Sequence, residues 1–168
     1  MELNTKGRYA VMAMAELAAC ADQGAQGAQG PQGAQGALSL SVIAERQLIS
    51  LSYLEQLFVK LRRAGLVESA RGRAGGYRLA RPAGQIRIAD VMAAVEEDVR
   101  MMSCTSEGTP CMPGRRCITH GLWDALSEHI QFFLEAVTLQ EVVDGIPLSK
   151  QPMRVAPAAA TPLREAGE

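Results

Sequence analysis

The amino-acid sequence predicts a mainly helical fold that carries one small β-hairpin and continues into a long helix. Three observations support this fold class. Apolar residues recur at helical spacing between residues 5 and 64. Two short strand-like runs flank a glycine-rich basic tip within residues 66–81. A last apolar stripe at helical spacing occupies residues 119–137.

The N-terminal part predicts a helix followed by a loop. Thr5 is the predicted N-cap of a helix that runs to about Ala21, because apolar side chains step round it at helical spacing. Glycine then stands at every third position from Gly24 to Gly36, among Ala and Gln residues. So short a run cannot sustain a collagen helix. We therefore expect residues 23–37 to form a flexible surface loop without a function of its own.

Residues 40–63 predict a helix, a tight turn at residues 48–50 and a second helix. Ser52 and Glu55 have the Ser-x-x-Glu spacing of a capping box, so the second helix should begin there. Gly65 should end it. One face of this helix should be core, because apolar residues follow the spacing i, i+3, i+4 and i+7: Leu54, Leu57, Phe58 and Leu61.

Two helices followed by a hairpin with a basic tip, the wing (residues 66–81), are the order of a winged helix-turn-helix. We therefore expect residues 1–100 to form one DNA-binding domain of this kind. The charge distribution supports this expectation. Residues 41–81 hold eight Arg and Lys against three Glu, giving +5, whereas residues 82–168 hold seven against twelve acids, giving -5. Such asymmetry is typical of a protein with a basic DNA-binding face.

The N-terminal end of the second helix offers polar side chains where a recognition helix meets base edges, namely Ser50, Ser52, Tyr53, Glu55 and Gln56. Gln56 can bond adenine bidentately, and Glu55 can accept a hydrogen bond from cytosine N4. The alternative is that Glu55 only closes the capping box. At the tip of the wing, Arg71 and Arg73 have long side chains that suit a narrow minor groove.

A further helix is expected at residues 88–96, and a long one from about Thr119 to Val137. The long helix carries one apolar stripe, formed by Leu122, Leu126, Ile130, Phe133 and Val137. Such a stripe on a helix that leaves a small domain predicts a dimerisation seam, so residues 119–144, which end in a short helical turn, form the expected homodimer region. The alternative is that the helix packs back onto its own domain. Residues 147–168 are rich in Pro and Ala and should be disordered.

Four potential metal ligands lie close together in the expected loop at residues 101–120, with the spacing Cys104-x6-Cys111-x5-Cys117-x2-His120. Zinc would accept three cysteines and one histidine as ligands, but in structural zinc sites the cysteines usually come in pairs separated by only about two to four residues. The wide gaps favour a cluster with two irons. A thiol-redox regulator and a structural zinc module remain alternatives. Of the other candidates, Cys20 should be a buried small apolar residue, His129 should be a surface or packing residue rather than a ligand, and Trp123 should belong to a core or an interface.

The expected compartment is the cytoplasm. No uninterrupted apolar run approaches the length of a membrane helix, and the N-terminus lacks the layout of a secretory signal. Cytosolic thiols stay reduced, which favours metal ligation over disulfides. Nothing in the sequence assembles a nucleophile, a base and a pocket, so no enzyme is expected.

Several segments resemble the IscR family of iron–sulphur cluster-sensing transcription regulators. They are Thr5-Lys-Gly-Arg-Tyr-Ala-Val11, Ile49-Ser-Leu-Ser-Tyr-Leu-Glu-Gln-Leu-Phe58, Arg71-Gly-x-x-Gly-Gly-Tyr77 and Cys117-Ile-Thr-His120-Gly-Leu-Trp123. The resemblance implies a cytoplasmic homodimer that binds operator DNA and receives a [2Fe–2S] cluster from the donor machinery. It implies control of cluster-assembly genes according to whether the cluster is present. The implied ligands are Cys104, Cys111, Cys117 and His120, and the implied DNA contacts are Ser52, Tyr53, Glu55, Gln56, Arg71 and the Gly76 backbone.

The chain departs from the pattern of that family in three features: the wing, the spacing of the first two cysteines and the turn before the second helix. Arg73 and Ala74 replace a Pro and a Gly of the wing, and the gap between the first two cysteines is one residue longer. Leu48 stands in the turn where Gly is common, which predicts some backbone strain. Related regulators that sense nitric oxide recruit an acidic residue from the first helix of the partner subunit. This chain has Arg8 in that region and keeps His120, which favours the IscR-like interpretation.

Overall fold

The computed structural model describes residues 5–25, 37–70, 75–96, 112 and 117–145. In chain order the elements are α1 (Thr5–Ala25), α2 (Leu40–Gln47), α3 (Leu51–Arg63), β1 (Val67–Ala70), β2 (Gly76–Leu79), a 3₁₀ turn (Ala83–Gln85), α4 (Ile88–Ala94), α5 (His120–Ala136) and α6 (Leu139–Val143). This order confirms the predicted fold class, a mainly helical fold with one two-stranded hairpin. Among the described helices, none is long and apolar enough to cross a membrane.

Helix α1 is longer than predicted and lies at the centre of the core. It begins at Thr5, which is itself helical rather than the residue before the helix, and it extends to Ala25 instead of Ala21. The loop predicted at residues 23–37 therefore begins too early in the sequence, since residues 23–25 belong to α1. Residues 26–36 lie outside the described residues. The buried side chains of α1 recur at helical spacing and include Ala10, Ala13, Met14, Leu17 and Cys20.

Helices α2 and α3 are joined by a turn that depends on Leu48 and Ser50. Leu48 adopts the left-handed conformation (φ 53°, ψ 41°), and its N–H bonds to the carbonyl of Ala44. Ser50 caps α3, since its Oγ accepts a hydrogen bond from the backbone N–H of Tyr53 (3.3 Å). The predicted capping box at Ser52 is therefore wrong, because Ser52 already lies within the first helical turn.

The end of α3 agrees with the sequence prediction. Gly65 has a φ of 69°, and its N–H donates to the carbonyl of Arg62 (3.0 Å). The N–H of Leu66 donates to the carbonyl of Leu61 (3.0 Å), which completes a Schellman motif. Leu61 and Leu66 are both buried, so the same turn closes the helix and directs the chain into the wing.

The wing is an antiparallel hairpin in which Val67 faces Leu79 and Ala70 faces Gly76. A segment that the sequence did not reveal extends it: Leu38 and Tyr77 exchange two backbone hydrogen bonds of 2.9 and 2.7 Å. At Gly76, a Cβ atom would lie 2.2 Å from the carbonyl oxygen of Leu38. Glycine is therefore required here for packing inside the protein, in addition to any contact with DNA.

The chain returns to the first domain after α5. The N–H of Ile88 donates to the carbonyl of Val137 (3.0 Å), and the N–H of Leu139 donates to that of Ile86 (2.8 Å). Val137 and Leu139 are buried, and α6 packs against α1. Val137 was expected in the dimerisation seam and instead packs into its own domain, because this backbone bridge draws it into the core. The predicted tail, residues 147–168, lies outside the described residues.

Candidate DNA interface and metal centre

The polar face of α3 is the candidate DNA-reading surface. Its opposite face is buried, as predicted, through Leu54, Leu57, Phe58 and Leu61. Ser52, Glu55 and Gln56 are exposed at the N-terminal end of the helix. Because Ser50 provides the cap, the Glu55 carboxylate is not held in a capping box. The structure therefore removes the alternative in which Glu55 serves only to start the helix.

Two tyrosines connect the start of α1 to the start of α3. Tyr53 is half-buried, and its ring meets that of Tyr9 edge-on, with centroids 6.0 Å apart. The guanidinium of the exposed Arg8 lies over the Tyr9 ring, 5.6 Å from its centroid. Arg8 is thus linked through Tyr9 to the start of α3, and sequence reasoning did not assign it to DNA. Arg8 and Tyr53 are 45 positions apart in the sequence, so no local sequence pattern indicated this arrangement.

The positive charge of residues 41–81 is only partly available to DNA. Four of its eight cations form ion pairs with acids: Arg46 with Glu16, Lys60 with Glu96, Arg78 with Glu68, and Arg81 with Asp90. Lys60, on the polar side of α3, is thus held by Glu96. Arg62 and Arg63 are exposed and form no ion pair within the described residues. Arg71 and Arg73 lie outside the described residues, so the predicted contacts of the wing tip stay predictions.

Of the four predicted metal ligands, two are among the residues that the structure describes and two are not. Cys117 and His120 stand at the start of α5, where the backbone N–H of His120 donates to the carbonyl of Cys117 (3.1 Å). His120 is only 5% exposed, and its Nε2 atom is shielded from solvent. Cys117 is half-buried, with Sγ 3.6 Å from Oγ1 of Thr119. Cys104 and Cys111 are not among the described residues, and within those residues no group of three metal-binding side chains converges.

The other histidine and cysteine lie as predicted. His129 is exposed, and its Nδ1 atom bonds to the carbonyl of Ala125 on the same helix (2.8 Å). Cys20 is buried in the core, and burial raises the pKa of its thiol. Neither residue joins the candidate metal centre.

Helix α5 leaves a broad apolar face uncovered. Its exposed large apolar side chains are Leu122, Trp123, Leu126, Phe132 and Phe133. Ile130, also expected in this stripe, is half-buried. An isolated chain with this face would expose an unusually large apolar patch.

Comparison with known proteins identifies the family. The family Rrf2, described as an iron-dependent transcriptional regulator, matches residues 3–145. The chain belongs to the Rrf2 family. It is accordingly a winged-helix, DNA-binding transcription regulator, and neither the family nor the relatives below are enzymes.

Relatives in this family cover most of the chain. An HTH-type transcriptional regulator of Neisseria meningitidis is 50% identical over 144 residues, which span 86% of this chain and 88% of that protein. The regulator IscR of Cereibacter sphaeroides is 42% identical over an alignment 170 positions long, which spans 100% of this chain and 99% of that protein. IscR of Xenorhabdus nematophila is 48% identical and covers 85% of this chain and 79% of its own.

Two solved structures share the fold. T. potens IscR superposes with a TM-score of 0.64 at 32% identity and covers 90% of this chain and 93% of that one. CymR, the global cysteine regulator of B. subtilis, gives a TM-score of 0.65 at 29% identity and covers 86% and 98%. Since CymR is named a cysteine regulator and IscR is not, and both share this fold, the fold by itself does not identify the signal.

Proposed function

We propose that this Rrf2 regulator binds a two-fold-related operator as a cytoplasmic homodimer and changes its operator choice when a [2Fe–2S] cluster is bound. The proposed ligands are Cys104, Cys111, Cys117 and His120. The proposed targets are genes for iron–sulphur cluster assembly, whose donor machinery would supply the cluster. The similarity to proteins named IscR supports this proposal over a cysteine-responsive role.

The observation that carries the cluster proposal is the burial of His120 beside Cys117. Its sequence neighbours Thr119 and Gly121 are exposed, and histidine itself is only of intermediate burial in proteins, so the shielding of His120 is specific to its side chain. Here the imidazole is shielded while the neighbouring thiol stays partly accessible. Thiolate and neutral imidazole are suitable ligands for iron, and the positive end of the α5 dipole favours an anionic group at this end of the helix. The two described residues therefore fit a cluster.

Each residue of this set would have a distinct part. Cys117 and His120 would hold the cluster against α5, and Cys104 and Cys111 would supply the remaining thiolates. When bound, the cluster would reversibly change the charge of this site and the conformational order of its ligands. His120 in place of a fourth thiolate removes one negative charge and weakens the hold on iron, as a sensor of cluster supply requires.

The DNA part of the proposal rests on α3 and on the wing. Ser52 and Gln56 would contact base edges, and Tyr53 would contact a phosphate beside Arg8. Glu55 would exclude DNA sites that bring a phosphate or a hydrogen-bond acceptor of a base edge against its carboxylate. Arg71 and Arg73 would enter the minor groove, with the Gly76 backbone close to the phosphates. Because Glu55 is exposed and outside a capping box, its charge is available for this discrimination.

Homodimerisation is supported by the apolar face of α5. Burial of Leu122, Leu126 and Phe133 against a second copy would remove this patch from water. Phe133→Asp should therefore lower the mass found by light scattering from two chains to one. Glu135→Lys, an exposed charge change on the same helix, is the control and should remain dimeric. A Phe133→Asp protein that remains dimeric would place the interface elsewhere.

Anaerobic purification of three histidine variants tests the cluster. Wild type should contain iron and acid-labile sulphide in equal amounts and should show a visible absorption spectrum. His120→Cys should still load and hold its cluster more firmly, whereas His120→Ala should load poorly. His129→Ala removes an exposed histidine of the same helix and should load as wild type does.

The acid response adds an independent measurement. Protonation of the imidazole competes with iron, so mild acidification should speed cluster loss from wild type but much less from His120→Cys. Equal cluster content and equal acid sensitivity in wild type and His120→Ala would remove His120 from the ligand set. Zinc without sulphide would instead show a structural zinc site, and disulfides without metal would show a thiol-redox regulator.

A further inference from the structure

Val59 is an exposed apolar residue in the middle of the polar face of α3. Its side chain is 43% exposed, although valine is a poor helix former and belongs more often to a core. At 100° per residue, Val59 lies within about 20° of Ser52 around the helix axis, on the side opposite the buried residues. It is thus at the centre of the surface that would face DNA.

Val59 lies outside the apolar core that the described residues form. It is neither part of the buried cluster of this domain nor among the half-buried apolar side chains that pack against that cluster. Its neighbours on the outward face, one turn before and one turn after, are Glu55, Gln56, Arg62 and Arg63. On this outward face of α3, the methyl groups of Val59 are therefore flanked by side chains that bind polar or charged groups.

The major groove offers one apolar group on base edges, the C5 methyl of thymine. We propose that Val59 reads a thymine methyl in each half-site, next to the base pairs read by Glu55 and Gln56. This inference rests on the proposed use of α3 as the recognition helix and adds a specificity residue that the sequence did not single out.

The spacing along α3 agrees with this role. Ser52, Glu55, Gln56 and Val59 occupy positions i, i+3, i+4 and i+7, the pattern in which a helix lying in the major groove presents successive side chains to bases. Val59 lies about 4.5 Å beyond Gln56 along the axis, since an α-helix rises 1.5 Å per residue. The thymine should therefore be one or two base pairs from the pair that Gln56 contacts, because base pairs are stacked about 3.4 Å apart.

The first experiment selects DNA from a pool of random-sequence duplexes, with wild type, Val59→Ala and Val59→Thr in parallel. Wild type and Val59→Thr, which keeps a methyl group at the same place, should enrich thymine at one position of each half-site. Val59→Ala should lose that preference and keep all others. Leu51→Ala is the matched control, because Leu51 is also 43% exposed on α3 but lies about 100° from Ser52 around the axis. It should enrich the same consensus as wild type.

The second experiment removes only the methyl group from the selected DNA by replacing that thymine with deoxyuridine. Wild type should lose about fourfold in affinity per half-site, as expected for one buried methyl group. Val59→Ala should bind both duplexes equally. The role of Val59 would be overturned if Val59→Ala selected the same consensus as wild type, or if deoxyuridine lowered the affinity of both proteins equally. Either result would leave the proposed use of α3 as the recognition helix intact. If wild type enriches no sequence, the proposed reading of DNA by α3 fails, and this inference fails with it.

Discussion

Replacement of Leu48 by glycine should stabilise the protein, because the turn between α2 and α3 requires a conformation that leucine disfavours. Leu48 has φ 53° and ψ 41°, where the Cβ atom of an L-residue crowds the following carbonyl. Its side chain is 91% exposed, so truncation removes almost no buried apolar area. The hydrogen bond from its N–H to Ala44 uses only backbone atoms and survives the change.

The size of this effect follows from two opposing contributions. Relief of the left-handed conformation should gain about 1–2 kcal/mol in the free energy of unfolding. The greater freedom of glycine in the unfolded chain should cost about 0.5–1 kcal/mol. The midpoints of these two ranges leave a net gain of about 0.75 kcal/mol, which corresponds to a rise in Tm of roughly 1.5–3 °C for a chain of this size.

Thermal and urea unfolding of wild type, Leu48→Gly and Leu48→Ala would measure the gain. Leu48→Ala removes the exposed side chain but keeps the Cβ atom, so its Tm should stay close to that of wild type. An equal rise for both variants would show that the exposed side chain, rather than the backbone conformation, destabilises the turn. A lower Tm for Leu48→Gly would refute the strain argument altogether.

Three further changes test separate features of the fold and the site. Glu55→Ala should broaden the set of DNA sites bound by the cluster-free protein, and a uniform loss of affinity across sites in a competition assay would count against its proposed selectivity. Gly76→Ala should destabilise the wing by about 1–3 kcal/mol, measured by urea unfolding, because its Cβ would overlap the carbonyl of Leu38. Cys20 should resist iodoacetamide in the folded protein, since burial raises the pKa of its thiol; rapid alkylation found by peptide mass mapping would contradict its burial.

The sequence predicted well those features that nearby residues decide. The apolar spacing of α3 and the glycine that ends it are local signals, and the buried face and the Schellman motif agree with them. The same locality explains an error at the start of α3. Ser50 and Ser52 are both good caps, and Glu55 made Ser52 the better choice by pattern. The left-handed turn at Leu48 instead places Ser50 just before the first helical residue.

Features that depend on distant residues could not be predicted from the sequence. The bridge between Leu38 and Tyr77 and the ion pair between Lys60 and Glu96 join positions far apart in the chain. The hydrogen bond from Lys60 also lowers the pKa of Glu96, an effect that no local pattern signals. For the metal centre, the sequence proposes four ligands, and the structure adds an observation for two of them, the burial of His120 next to Cys117.

The salt dependence of DNA binding should follow the cations that are not paired inside the protein rather than the net charge of residues 41–81. Each phosphate that a cation neutralises contributes about -0.9 to the slope of log K against log salt. Arg62 and Arg63 are exposed and form no ion pair within the described part of the chain, so replacement of both by Gln should make the slope shallower by up to about two per DNA-binding head. Arg81→Gln is the control, because Arg81 is held by Asp90 at 2.7 Å, and it should leave the slope unchanged. An equal reduction for Arg81→Gln would mean that internal ion pairs open on DNA, and the net charge of the segment would then be the better guide to its affinity.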